Sequence, residues 1–239
     1  MILHNFGEEP VFERDGLKIT RYSADPQRIQ KTSANYGTFI YVSGPANLWT
    51  GDYKCSLPEK GVFGIVKSDQ EYVFQARNDS DLYVFDVFDM AEAAKISEFP
   101  VIDMREWSDE MWISSDGSVV MYPDSSRVLP DGGRSGWFTH AYKGTHIGIA
   151  DAEWEEIREN EDLHYHKFTA EGRITLEGGM KVACAGQVID VPREHMLVLD
   201  PKSGAQRIVE IETPHRHVAW SWPSYPEDPN LEPDKIEIK

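Results

Sequence analysis

The residues best suited to chemistry lie in one short run, His164-Tyr-His-Lys-Phe-Thr-Ala-Glu-Gly-Arg-Ile-Thr-Leu-Glu-Gly-Gly179. His164 and His166 are two apart, a spacing that puts both imidazoles on one face of an extended strand. Glu171 follows after a gap long enough for a bend. From there the chain alternates, with Glu171, Arg173 and Thr175 on one side and Ile174 and Leu176 on the other. Two imidazole nitrogens and a carboxylate oxygen meeting at one point make most of a site for a divalent transition metal. With coordination positions left open, such a set can bind substrate or dioxygen, as in non-haem Fe(II) oxygenases. Fe, Mn, Ni and Zn all accept two nitrogen and one or two oxygen donors, and the sequence does not choose among them. Arg173 projects to the same side as Glu171. It reads either as a clamp for a substrate carboxylate or phosphate, or as an ion-pair partner for Glu171.

Strands must position these groups. Few windows carry the apolar spacing of a helix, and most alternate with period two between Gly, Pro, Asp or Asn. Val11 to Tyr22 reads as a hairpin around Asp15-Gly16; Thr38–Val42, Leu48–Cys55, Val62–Val66, Tyr72–Ala76 and Leu82–Phe88 read as further strands. Residues 90–136 are less regular, with a helical turn expected at Ala91–Ile96 and a hairpin at Met111–Tyr122 around Asp116-Gly117. Strands resume at Trp137 and run to about Ile211; Asp151 to Asp162 fits a short helix or a frayed edge strand equally. The run after Trp222 is too rich in proline for regular structure and reads as a surface tail, or one reaching a neighbouring subunit. Short antiparallel strands at this rhythm indicate a sandwich or barrel.

The chain has 239 residues, room for one large β domain or two of about 100 to 120. At 40% hydrophobic and 11% aromatic it can build a core. Its net charge of −17, from 24 Lys and Arg against 41 Asp and Glu, opposes nucleic acid and anionic membrane surfaces as partners. Cys55 and Cys184 lack CxxC spacing and read as buried free thiols in a reducing compartment. The first ten residues show no signal-peptide pattern, and no apolar run is long enough to span a bilayer. A soluble cytoplasmic protein is the expectation.

Sliding the chain against itself gives an offset of 134 residues that pairs Ile40 with Ile174, Gly44 with Gly178 and Pro58 with Pro192. Val42 then falls on Leu176, Phe63 on Leu197, Ile65 on Leu199 and Phe74 on Ile208. Alternation, a turn glycine and a proline before a strand stay in phase together, which indicates two copies of one β unit.

The pattern His164-x-His166-x4-Glu171-x6-Gly178 resembles the first signature motif of the cupins. The resemblance implies small jelly-roll β-barrels (double-stranded β-helices) in which the two histidines and the glutamate hold a metal and the glycine turns between strands. The second motif of that family falls on Asp200-Pro-Lys-Ser-Gly-Ala-Gln206, where Pro201 and Gly204 remain but Gln206 stands in place of the third ligand histidine. Gln206 is then expected as a fourth ligand or a hydrogen-bond donor beside the metal. His215 and His217 repeat the HxH spacing, so one of them could replace the missing histidine, or both could be a strand-end feature. His195 reads as a turn residue facing water. His140 and His146 carry no informative spacing, and Lys181 reads as solvated. Trp220, Trp222 and Tyr225 are expected to cover apolar surface. At the same offset the first copy has Gln30, Thr32 and Gly37 at the ligand places and Tyr72 in place of Gln206. That implies a metal-free first barrel for packing or assembly, with Tyr72 in its core and its hydroxyl hydrogen-bonded.

The whole chain thus resembles a bicupin, with an all-β fold of two tandem barrels. The expected division is residues 1–92 for the first, 93–136 for a connection, 137–223 for the metal-bearing barrel and 224–239 for an acidic tail. The function implied is a metal-dependent enzyme acting on a small anionic molecule, an oxygenase foremost. The alternatives are an isomerase or lyase of the same class, or a non-catalytic binding protein. Exposed sheet edges and the Trp-rich last strand suit a homodimer. No nucleophile elbow or glycine-rich phosphate loop supports another chemistry.

Overall fold

The computed structural model describes residues 2–5, 11–22, 28–35, 37–65, 69–88, 112–113, 119–122, 127–128, 134–142, 145–156, 163–201, 203–224 and 235–238. Among them every regular element is a strand. No helix among them is long and apolar enough to cross a membrane. The chain divides into two compact units, residues 7–125 and residues 1–6 with 126–239. Strand β1 (Ile2–Asn5) belongs to the second unit.

The first unit contains β2 (Phe12–Arg14), β3 (Leu17–Tyr22), β4 (Arg28–Thr32), β5 (Gly37–Val42), β6 (Ala46–Thr50), β7 (Tyr53–Leu57), β8 (Gly61–Ile65), β9 (Glu71–Ala76), β10 (Leu82–Val87), β11 (Trp112–Ile113) and β12 (Val119–Tyr122). They form one sheet in the order β11-β12-β8-β5-β10-β3-β2 and another in the order β4-β9-β6-β7. The β2–β3 turn is the expected Asp15-Gly16 pair, both at positive φ (51° and 77°), the geometry that suits a two-residue hairpin. One expected strand is in fact two: Leu48–Cys55 is broken by a turn at Gly51-Asp52 that makes β6 and β7 a hairpin. Glycine at 51 has a φ of 56°, so the chain can reverse there. The hairpin expected at 111–122 exists as β11 and β12, and β12 pairs with β8. It therefore belongs to the first sandwich and not to a connection between domains. The Asp116-Gly117 turn and the helical turn at 91–96 lie outside the described residues.

Alternation packs the two sheets together. Ile40, Phe63, Val84 and Leu82 from one face Leu48, Leu57, Phe74 and Ile29 from the other, all buried. Phe63 and Phe74 meet edge-to-face at 5.4 Å across the gap. Each such side chain contributes roughly 1.5–3 kcal/mol through burial.

The second unit adds β13 (Arg127–Val128), β14 (Arg134–Tyr142), β15 (Thr145–Trp154), β16 (His164–His166), β17 (Ala170–Glu177), β18 (Met180–Cys184), β19 (Gln187–Val191), β20 (His195–Leu199), β21 (Gln206–Ile211), β22 (His215–Ser224) and β23 (Lys235–Glu237). Its sheets run β1-β20-β17-β22-β15-β14-β13 and β19-β18-β21-β16-β23. Asp151–Trp154 is the end of β15, a strand paired on both sides, and neither a helix nor an edge. The end of the chain is not simply a tail: β23 pairs with β16 and places Lys235 opposite His166. The proline-rich segment before it and Tyr225 lie outside the described residues.

Both units repeat one topology, since β8-β5-β10-β3 matches β20-β17-β22-β15 and β4-β9-β6-β7 matches β16-β21-β18-β19. The 134-residue offset holds for β6 to β9 against β18 to β21, but it slips by one upstream. Thr38 faces Ile65 as Glu171 faces Leu199, so Ile40 corresponds to Arg173 and not to Ile174. The cause is a bulge in β17 between Thr175 and Glu177, which inserts one residue with no counterpart in β5. Lys31, Ser33 and Thr38, rather than Gln30, Thr32 and Gly37, therefore hold the places of His164, His166 and Glu171.

Candidate metal centre

Period-two alternation in β16 and β17 aims three donors at one point. His164 Nε2 lies 3.6 Å and His166 Nε2 3.3 Å from Glu171 Oε2. One ligand atom from each of the three residues can be chosen so that all lie within 4.8 Å of one another. Two donors on a common ion at bonds of about 2.1 Å stand roughly 3 Å apart when at right angles, so the spacing suits a single ion. The imidazole planes are nearly perpendicular, at 86°. His164 is buried and His166 and Glu171 nearly so, with side-chain exposures of 17% and 13% for the latter two. This cluster is a buried site of the kind that binds a divalent transition metal, and its donors fit several such ions equally.

Two neighbours fix the acid. Arg173 Nε donates to Glu171 Oε1 at 3.0 Å and Gln206 Nε2 donates to Oε2 at 2.7 Å, while Ser221 lies directly across the ladder on β22. Burial alone would raise the Glu171 carboxyl. The Arg173 guanidinium and the two imidazoles outweigh it and hold the carboxyl well below the usual range. Of the two readings of Arg173, the ion pair is the one the geometry displays. Gln206 sits opposite His164 on β21, at the place of the absent third histidine. Its amide nitrogen is spent on Glu171, while its buried oxygen has no hydrogen-bond partner among the described residues.

The turn glycine is required where the motif puts it. Gly178 has a φ of 65°, and a Cβ there would come within 2.2 Å of the Glu212 carbonyl oxygen. Ser221 escaped the sequence reading. The signal available was the alternation His215, His217, Ala219, Ser221, which places all four on the Glu171 side of β22. The hydroxyl of Ser221 is buried and unpartnered among the described residues.

His215 and His217 do not replace the missing ligand. His217 is opposite Thr175, four residues or about 13 Å along β17 from Glu171. The pair bonds internally, His215 Nε2 to His217 Nδ1 at 3.0 Å, and His217 meets the Trp154 ring edge-to-face at 5.1 Å. His195 opens β20 half-buried and pairs its Nδ1 with the Arg193 carbonyl at 3.0 Å. Lys181 pairs with Glu210 at 2.7 Å on the surface. Trp220 and Trp222 are buried. His140 and His146 lie on β14 and β15, and their side chains fall outside what the structure describes. Cys55 and Cys184 are buried free thiols.

Burial, with a smaller contribution from Arg173, pushes His215 down to about 4 against an opposing pull from the Gly179 carbonyl. The folded protein thus holds His215 neutral at pH values where the unfolded chain, titrating near 6.5, binds a proton. The unfolded state gains from that proton, so stability falls as pH drops from about 6.5 towards 4, by up to about 1.4 kcal/mol per pH unit. Urea midpoints measured at pH 7.5 and pH 5 are expected to differ less in His215→Gln than in wild type.

No protein-family model matches this chain, and no curated protein matches it in sequence. Solved structures do match it. A Bacillus subtilis oxalate decarboxylase described with Mn(II) centres superposes with a TM-score of 0.61 over 99% of this chain and 74% of its own, at 13% identity. The fold is cupin-like. A Lactobacillus farciminis oxalate decarboxylase in a formate complex superposes with a TM-score of 0.55 over 100% of this chain and 88% of its own, at 10% identity. At such identities the likeness concerns the cupin-like fold in tandem, and the metal cluster stands on this chain's own residues.

Proposed function

We propose that the second cupin-like unit is a metal-dependent lyase that removes carbon dioxide from a small carboxylate of the oxalate class. The observation that carries this reading is the His164, His166 and Glu171 cluster, three donors converging inside the sandwich with an arginine and a carboxamide locking the acid. The likeness to two oxalate decarboxylases over nearly the whole chain favours lyase chemistry over the oxygenative reaction expected from the ligand set alone. A bound divalent ion would supply Lewis acidity, drawing electron density from a substrate carboxylate.

The chain's own residues do the rest. His164 and His166 would present ring nitrogens to the ion, and Glu171 stays anionic at neutral pH because Arg173 faces it. Gln206 holds one Glu171 oxygen and leaves its own carbonyl oxygen beside the cluster, as a further ligand or an acceptor for a protonated substrate oxygen. Ser221, whose buried hydroxyl lies across the ladder from Glu171 without a partner among the described residues, would donate to the substrate. Loss of carbon dioxide leaves an electron pair on the retained carbon, which one proton then quenches. Arg173, already paired, acts on the substrate only through the position of Glu171.

The test is to supply oxalate to protein loaded in turn with Mn(II), Fe(II), Ni(II) and Zn(II), while following formate, carbon dioxide and oxygen together. Formate and carbon dioxide in equal amounts, without net oxygen uptake, are the expected result. Stoichiometric oxygen uptake with small carboxylates would return the reading to an oxygenase. Silence with every metal across oxalate and other small carboxylates would leave a binding protein.

A further inference from the structure

The first unit is not an emptied copy of the second. Strand registers put Lys31 opposite Tyr72 as His164 is opposite Gln206, and Asp86 opposite Thr38 as Ser221 is opposite Glu171. Polar groups thus occupy the same end of the same sandwich, with different chemistry. Thr38 Oγ1 donates to Asp86 Oδ1 at 2.8 Å and accepts from the Ala34 amide at 3.0 Å. The Lys31 ammonium stands 4.0 Å from Asp86 Oδ2, too far for a hydrogen bond, and 5.2 Å over the Tyr22 ring.

Two hydroxyls beside this group are buried without partners among the described residues, Tyr72 at 1% and Thr20 at 6% exposure. Thr20 lies opposite Val84, on the face of β3 that Asp86 shares. Tyr72 is close enough to Asp86 and Tyr22 for both, after burial itself, to push its hydroxyl up, so it stays a neutral donor. A buried phenol left without an acceptor loses a hydrogen bond that water gave it, which a structure corrects by admitting a ligand or an ordered water. Lys31 is about one-third exposed, so the group is open to solvent at that point.

An ammonium and two buried hydroxyls face the same end of this sandwich interior as donors, and the acid among them is half satisfied by Thr38. We propose that the first unit holds a second, metal-independent site in which Lys31, Tyr72 and Thr20 bind a small monocarboxylate beside the Thr38–Asp86 pair. Lys18, opposite Asp86 on β3 and 3.8 Å from the exposed Glu13, adds a second ammonium to Lys31 against the one buried carboxylate, a surplus of one charge that suits a singly charged anion with two oxygen acceptors. This site stands apart from the lyase reading, because none of its residues belongs to the second unit.

The full-length chain, stripped of metal by chelation, is titrated calorimetrically with acetate, glycolate and inorganic phosphate. Saturable binding of acetate or glycolate, one per chain, is expected, with phosphate weaker. It should survive in His166→Ala and weaken about tenfold or more in Lys31→Met and in the near-isosteric Tyr72→Phe, as loss of a charge-assisted or buried hydrogen bond does. Urea unfolding of each variant checks that it is folded. The proposal is overturned if neither carboxylate saturates or if binding disappears with chelation or in His166→Ala. Tighter binding of phosphate, or unchanged affinity in both Lys31→Met and Tyr72→Phe, overturns it as well.

Discussion

Replacing His166 with alanine is expected to empty the second unit of metal and to abolish turnover with it. The cluster has three strong donors, so His166→Ala leaves one imidazole and one carboxylate, and the carboxylate is already shared with Arg173 and Gln206. Loss of an outer partner of a metal site commonly costs 10–100-fold in affinity, and loss of a ligand exceeds the upper figure, about 100-fold. Gln206→Ala removes the hydrogen bond to Glu171 Oε2 and is expected to fall within that smaller range. Elemental analysis of wild type and both variants, purified side by side without added metal, gives the ordering directly. The fold should tolerate His166→Ala, because that side chain keeps 17% exposure and lies on the three-residue strand β16. Near-stoichiometric metal in His166→Ala would mean that the ion sits elsewhere and that the proposed lyase site is misplaced.

The residues of this cluster were legible in the sequence because a strand's period is fixed at two. His164 and His166 share one face of β16, and Glu171 and Arg173 one face of β17, under any pairing, and Asp15-Gly16 marks its hairpin without help from tertiary structure. What the sequence hid were features set by pairing. The bulge between Thr175 and Glu177 leaves no compositional mark, yet it shifts β17 by one residue against β5 and so moves Lys31 and Thr38, not Gln30 and Gly37, to the ligand places. Strand β23 is three residues beside a proline-rich run, and only its ladder to β16 identifies it. Tyr72 was expected with its hydroxyl bonded. Burial was readable from its type, whereas the partner depends on which strands face it. Arg173 kept two readings until its distance to Glu171 separated them.

Gly172→Ala is expected to be a severely damaging single-methyl change in the second unit. Gly172 lies between Glu171 and Arg173 and points the other way, where a Cβ would come within 2.0 to 2.3 Å of three indole atoms of Trp220. Trp220 is fully buried and donates its Nε1–H to Met196 Sδ at 3.4 Å, so the ring has no open side to move into. The alternative is for β17 to shift, and β17 is paired with β20 on one side and β22 on the other. Overpacking a dense core costs about 1–3 kcal/mol and sometimes more, and overlap this deep belongs at or above the upper end. For a unit of this size that is on the order of 10 °C in thermal midpoint. Any strand shift that relieves the clash also moves Glu171, so metal content should fall with stability although no ligand is altered. Gly172→Ala combined with Trp220→Leu removes the colliding ring, and its loss should be smaller than the sum of the two single losses, the coupling expected of residues in contact. Additive losses, or a Gly172→Ala protein with unchanged midpoint and full metal content, would show that β17 has slack behind its ligand face and that the acid is held by Arg173 and Gln206 alone.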